Sequence, residues 1–490
     1  MTSSVSSVGT LSSAGLGSGL DVNSLVTQLM AIENRPLDAL KSTATALNSK
    51  LSTFGKLQSY FAALQDKSNA LVSSTLWSAV IATSGDPTAV KVATGSGASA
   101  GSFGVQVNKL AAAQTVTAAA QPTSASTLNA GSLTIELGTW TGEPTPTGFT
   151  AKSGSAPVTV TIGAGETSLA SIRDKINGAG AGVVASIVTD ANGARLSIRS
   201  KDTGAENGFR IAAAETVDDG AAGTGLSALA YDATGGASQM SRTQSAINAD
   251  ATVNGIAISS ASNTLTNVVD GVTISLAKVT TSPVDVSVTA DSASAKKAIT
   301  DFVSAYNDLA GYLHTQTAYD ASTKVAGALQ GDQGAISLQN QLRAVLNVNS
   351  SASSVFTSLS DIGLTLDRNG TMQVNDTKLT SAVGNLPELK KVLATDGADT
   401  ASSGFVRRWK RLADSALSTG GTFDSRTQGL NMSLRTNSKS QDAMSNRLAQ
   451  TETRMRAQYT ALDTQMAKLN NLSAYMTQQI TLMNAASSNN

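Results

Sequence analysis

The chain has 490 residues, enough for several domains of the usual roughly 100–200 residues each. Charged residues make up only 14%, against a usual share of about 25%, and 35 Lys plus Arg balance 35 Asp plus Glu, so no overall field draws the chain to nucleic acid or anionic lipid. Cysteine is absent and no window approaches roughly 18 uninterrupted apolar residues, which excludes disulfides and thiolate chemistry and argues against insertion into a membrane.

Residues 1–20 are rich in Ser and Gly and have neither the basic patch nor the apolar stretch of a secretory signal, so no cleaved signal peptide is expected. They offer little to bury and should be disordered on their own. Asp21 and Ser24 then supply N-cap oxygens ahead of Leu25, Val26, Leu29, Met30 and Ile32. Pro36 interrupts this short helix. A second one follows with Leu37, Leu40, Ala44, Leu47, Leu51, Phe54, Phe61 and Leu64 spaced mostly by three and four. Leu25, Leu29, Met30, Ile32, Leu40, Leu47, Leu51 and Phe54 thus form an N-terminal amphipathic face that needs a partner helix.

After Trp77 the period changes from helical to two. Thr88–Val92, Phe103–Val107, Leu133–Leu137, Val158–Ile162, Val183–Val188 and Arg195–Arg199 alternate as half-buried strands do. Further strands are expected at Thr252–Val253, Ile256–Ile258, Val272–Leu276 and Val284–Val288, with turn dipeptides at Asn192-Gly193, Asn254-Gly255 and Asp270-Gly271. One helix, Thr167–Asn177, breaks the pattern. Helix returns near Ala293, with Ile299, Phe302, Val303, Tyr306, Leu309 and Leu313 on one stripe. Shorter helices follow at Leu338–Leu346, Leu379–Val383 and Leu389–Leu393, and a small hairpin turns at Asn369-Gly370.

The stretch Leu430–Asn490 contains neither Gly nor Pro, in a chain with 42 and 8 of them, so continuous helix is expected. Leu434, Gln441, Leu448, Met455, Leu462, Leu469, Met476 and Met483 recur every seven residues, the spacing of a left-handed coiled coil. The companion row three residues on is mostly polar, too weak for a dry zipper. Six of the ten Met lie here, and flexible thioethers suit a surface that repacks against more than one partner. A long antiparallel helix in an ordinary bundle would show the same heptads.

Catalytic chemistry is sparse. His314 is the only histidine, too few for the usual multi-His metal site. Gly97–Gly101 matches G-x-S-x-G at Ser99, but lacks the preceding apolar strand and following helix of a nucleophile elbow. Gly15–Gly19 lacks the strand and spacing of a dinucleotide fingerprint. Arg407, Arg408, Lys410 and Arg411 around Trp409 read as a solvated helix face or a contact for an acidic partner. No catalytic, cofactor or metal constellation rises above background, and an enzyme is not expected.

Several segments together resemble the family of bacterial flagellar filament cap proteins, also called flagellar hook-associated protein 2. They are Gly15-Leu-Gly-Ser-Gly-Leu-Asp21 followed by Leu25-Val26, Leu29-Met30, Glu33 and Pro36-Leu37; Phe302-Val-Ser-Ala-Tyr-Asn307; and Ile362-Gly-Leu-Thr-Leu366 with Asn369-Gly370, Val374, Asp376 and Lys378-Leu379. Ser168–Ile198 also resembles a repeat shared by hook and filament proteins. The expected fold is α+β and multidomain, with a coiled-coil helical terminal and inner domain and β-rich domains inserted mid-chain. The expected domains are a terminal segment (1–40), a helical inner domain (41–77 plus 291–429), a β-rich domain (78–125 plus 243–290), an outer β-rich domain with one helix (126–242) and the C-terminal coiled-coil helix (430–490).

The resemblance implies a motility structure secreted through the flagellar type III route without a cleaved signal. It implies a homo-oligomeric ring of about five or six copies at the flagellum tip, retaining exported flagellin and promoting its polymerisation. The implied partners are flagellin, further copies of the chain, a cytosolic export chaperone at the C-terminal helix and the hook–filament junction proteins, with no nucleic acid and no membrane insertion. A junction protein, a coiled-coil surface adhesin active in cell adhesion, or a secreted serine hydrolase using Ser99 and His314 are the alternatives.

Overall fold

The computed structural model describes residues 21–235, 238–322, 324–345 and 348–487. The expectation of disorder at 1–20, and the Gly15–Gly19 motif, lie outside these residues. The described helices are, in chain order, α1 (Val22–Glu33), α2 (Arg35–Val72), α3 (Ser74–Ser78), α4 (Leu169–Gly178) and α5 (Ser292–Thr317). They continue as α6 (Gln333–Ala344), α7 (Asp376–Val383), α8 (Leu386–Ala394), α9 (Phe405–Leu417) and α10 (Thr422–Ser487).

Two compact units result: one built from the chain up to Trp77 together with everything from Ser292, the other from Ser78–Asp291. In the first, α2 presents Phe54, Leu57, Phe61, Leu64 and Leu71, all fully buried, at helical spacing. α5 meets it with Ile299, Phe302, Tyr306, Leu309 and Leu313, and Trp409 of α9 stacks on Phe302 and Tyr306 with ring centres 5.2 and 5.5 Å apart. Pro36 sits in the first turn of α2, where its missing N–H leaves no helix bond unmade.

The basic cluster around Trp409 departs from the solvated face expected of it. Arg408 is buried, and its guanidinium donates to the carbonyls of Ser403, Val345, Val348 and Asn349 at 2.5–3.3 Å. Five N–H donors aimed at loop carbonyls make burial of this cation tolerable without a carboxylate in contact. Its neighbours are neutralised inside the chain, Lys410 by Asp414 at 2.6 Å and Arg411 by Asp396.

The second unit is β-rich. Its first strands are β1 (Val80–Ser84), β2 (Val90–Thr94), β3 (Gly101–Lys109), β4 (Thr115–Thr117), β5 (Gly131–Thr141), β6 (Gly148–Ala151), β7 (Val158–Ile162) and β8 (Val183–Asp190). The rest are β9 (Gly193–Ser200), β10 (Gly208–Glu215), β11 (Ser241–Gln244), β12 (Ala249–Val253), β13 (Ile256–Ser260), β14 (Thr264–Val269), β15 (Val272–Leu276) and β16 (Val284–Ala290). Sheets ordered β1-β16-β3-β12-β13 and β14-β15-β2 share one core of Val, Leu, Ile and Phe. A second core lies among β10-β5-β6 with β7, β11-β4-β9-β8 and α4.

Entry and exit of this unit are pinned side by side, since β1 and β16 pair antiparallel from Val80↔Ala290 to Ser84↔Val286. Asn254 (φ 51) and Gly255 (φ 80) make the tight β12–β13 turn, both in the left-handed region that a two-residue hairpin of this hand demands.

Candidate partner-binding surface

α10 spans 66 residues, about 100 Å at roughly 1.5 Å per residue. Its root is locked in the core of the first unit. Phe423 sits edge-on between Phe61 (5.1 Å) and Phe54 (6.5 Å), and Arg426 pairs with Asp332, whose carboxylate is fully buried and also caps α6 through Gly334 N–H at 3.0 Å. Asp424 accepts the Gly420 N–H at 2.8 Å and the Gln428 amide at 2.9 Å, and these bonds, the backbone one foremost, hold its carboxyl below the usual range.

From there α10 runs antiparallel to α2, because Phe54 lies beside Arg426 whereas Leu37 shares a cluster with Met444 and Leu448. The short α1 continues the line of α2 and covers the next turns. Val22, Val26 and Met30 bury themselves against Leu448, with Met444, Met455 and Tyr459 at the edge, and Arg456 donates to the side-chain Oδ1 of Asn23 at 2.9 Å.

Beyond Tyr459 nothing covers the helix among the described residues. Leu448 is 6% exposed, whereas Leu462 is 44%, Leu469 58%, Met476 54% and Met483 69% exposed. The proposed partner face is therefore divided. Leu434 and Met455 are half-buried and Leu448 buried within the chain, while Leu462, Leu469, Met476 and Met483 remain open. On the N-terminal face Met30 and Phe54 are buried and Leu25, Leu29, Leu40, Leu47 and Leu51 half-buried, but Ile32 is 58% exposed, having turned out of the α1 stripe.

Contributors in two helices escaped the sequence reading. Met466 and Ile480, four residues after Leu462 and Met476, widen the open stripe to an a/d/e-type band. Val22 lies one turn before Val26 and starts the α1 stripe a residue after the Asp21 cap. The signal for both was present in the i, i+4 spacing.

Elsewhere, Ser99 lies in the Ser78–Asp291 unit and His314 in the other, each exposed. Glu215, Asp218 and Asp219 place carboxylate oxygens within 4.8 Å of one another. Glu215 is engaged by Asn129 and by the Ser227 N–H, and Asp219 by Thr224, so these groups serve their own loop. No described helix is long and apolar enough to cross a membrane.

Comparison with known proteins agrees with this layout. Residues 18–114 match the family described as Flagellar hook-associated protein 2 N-terminus, 246–471 match its C-terminus, and 148–202 match the Flagellin hook IN motif. Flagellar hook-associated protein 2 of Escherichia coli (strain K12) is 34% identical over 485 residues, covering 96% of this chain and 98% of that protein. The B-type protein of Pseudomonas aeruginosa is 30% identical, covering 92% of this chain and 93% of its own. A crystal structure of the flagellar cap protein FliD from Escherichia coli, D1-D2-D3 domains, superposes with a TM-score of 0.56 at 33% identity, covering 77% of this chain and 99% of that one. With the family matched at both ends and nearly the full length of its relatives spanned, the chain belongs to the flagellar hook-associated protein 2 family.

Proposed function

We propose that this chain caps the flagellar filament as a non-enzymatic structural subunit. Copies form a closed ring at the tip, where they retain exported flagellin and promote its insertion and polymerisation. The chain reaches the tip by export, escorted by a cytosolic chaperone on α10, and meets the hook–filament junction proteins on the way.

One observation carries the mechanism. The last turns of α10, about 40 Å of helix, hold Leu462, Met466, Leu469, Met476 and Ile480 on one side, exposed and without cover among the described residues. Each such side chain gains about 1.5–3 kcal/mol on full burial, so the row holds an unmet association free energy on the order of 10 kcal/mol before the entropy of association is subtracted. The polar Gln458, Gln465 and Gln479 beside it keep any seam weak and re-formable. A chaperone occupies the row before export. Flagellin helices with similar heptads replace it at the tip, and weak contacts let the cap shift as each subunit enters.

The test is the double variant Leu462→Asp, Leu469→Asp, expressed in a cell lacking the wild-type chain. Flagellin should leak into the medium, and chaperone binding should fall, while the β-rich unit keeps its strand signature by circular dichroism. Full flagellin retention by that variant would refute the role assigned to the row.

A further inference from the structure

The chain has ten methionines and no cysteine, so a two-electron oxidant that reaches it meets thioethers and no thiol to react first. Those thioethers stand in unequal circumstances. Met30, Met240 and Met372 are buried, and Met444 and Met455 are half-buried beside α1. Met466 and Met476, in the last turns of α10, are 37% and 54% exposed.

Placement matters as much as access. Residues three and four apart on a helix are neighbours, so Met466 sits between Leu462 and Leu469, and Met476 between Leu472 and Ile480. Each sulfur therefore occupies the middle of the open apolar row. From 469 to 490 the sequence has no charged side chain, so no ion pair helps to hold a partner there and the attachment rests on apolar contact. Met432 supplies the contrast. It is exposed too, but it lies two residues from buried Leu430 and two from half-buried Leu434, a spacing that turns it to another side of the helix.

We propose that Met466 and Met476 are oxidation sites through which hydrogen peroxide weakens the hold of the row on its partner. A lone pair of the thioether sulfur attacks one peroxide oxygen. The S–O bond forms as the O–O bond breaks, and the departing oxygen leaves as water with the proton of the oxygen transferred. Sulfur gives up two electrons and the peroxide takes them. The product sulfoxide sets a strong acceptor oxygen amid Leu462, Leu469, Leu472 and Ile480, and burying the row then strips that oxygen of its water. Methionine sulfoxide reductases reverse the change, one enzyme for each epimer. The partner rests on the capping reading; the chemistry does not.

The test treats the purified full chain with hydrogen peroxide and follows oxygen uptake at each methionine by peptide mass spectrometry. Met466 and Met476 should oxidise at least about tenfold faster than Met240 and Met372, whose sulfurs are reached only through local opening. Retention on a phenyl matrix reads the row without a partner. The oxidised chain should elute earlier, and the two reductases together should restore its position. Met466→Leu with Met476→Leu should keep its retention through the same treatment, whereas Met432→Leu should lose it as wild type does. Binding to purified flagellin should weaken about tenfold on oxidation of wild type and hold in the double variant. Equal oxidation rates at exposed and buried methionines, or a loss of retention that the double variant shares, would overturn the proposal. The capping reading is tested apart from these readouts, by the Leu462 and Leu469 variants without oxidant.

Discussion

The two parts of α10 share one heptad repeat and have opposite circumstances. From Thr422 to Tyr459 the helix is covered by α2 and α1, with Phe423, Leu430 and Leu448 removed from water. From Leu462 onward the same heptad continues with Leu462, Leu469 and Met476 exposed. Among the described residues the cover ends with α1, whose first turn lies beside Arg456 and Tyr459. Helix propensity forms both halves, but tertiary burial stabilises only the first, and most helical stability in proteins comes from such burial. The difference separates a root that belongs to the core from a tip whose apolar row no described residue covers.

Phe423→Ala would break the comparison most severely, because it removes a fully buried ring from between Phe54 and Phe61. A loss of about 3–5 kcal/mol is expected, read as a lower urea midpoint of the helical unit with the β-rich unit unchanged. A loss below about 1 kcal/mol would mean that α10 is not rooted in this core.

The paired substitutions Leu448→Ala and Leu469→Ala sharpen the contrast, since they make the same chemical change three heptads apart. The first empties the small cluster with Val22, Val26 and Met30 and should cost about 2 kcal/mol, seen as a roughly 30-fold faster amide exchange in α1. The second should leave the isolated chain within about 0.5 kcal/mol of wild type, because its side chain touches little but water. Equal effects of the two would dissolve the distinction between root and tip.

The sequence reveals this division only in part, and particular residues show why. The absence of Gly and Pro after Gly429 marks the long helix, yet α10 begins eight residues before Leu430 and runs through that glycine, because burial of Phe423 outweighs a local penalty of about 1 kcal/mol. The heptad names Leu434 through Met483 but cannot say which are covered; the burial of Leu448 depends on Val22, Val26 and Met30 of α1. Strands β2, β3, β5, β7, β8 and β9 show themselves through alternation. β10 does not, since Ala212, Ala213 and Ala214 give no contrast between faces and only pairing with β5 makes it a strand. Arg408 misleads most: a run of basic residues reads as solvated, and only the loop carbonyls gathered around it from distant positions explain its burial.

The smallest effect concerns Asp424 in the first turn of α10. Bonds from the Gly420 N–H and the Gln428 amide hold its folded-state pKa below the usual value, so the unfolded chain takes up the proton first as pH falls. Its contribution is therefore present above the ordinary carboxylate pKa of about 4 and fades as pH drops through the lowered folded value. Asp424→Asn keeps a carbonyl oxygen for the Gly420 N–H but removes the charge that favours a helix N-terminus. The variant should melt slightly below wild type at pH 7, with the gap narrowing as pH falls below the ordinary carboxylate pKa of about 4. A gap that persists unchanged into acid would mean that the side chain acts through shape alone, and that the root of α10 is secured by Phe423 and the Asp332–Arg426 pair without help from its first-turn charge.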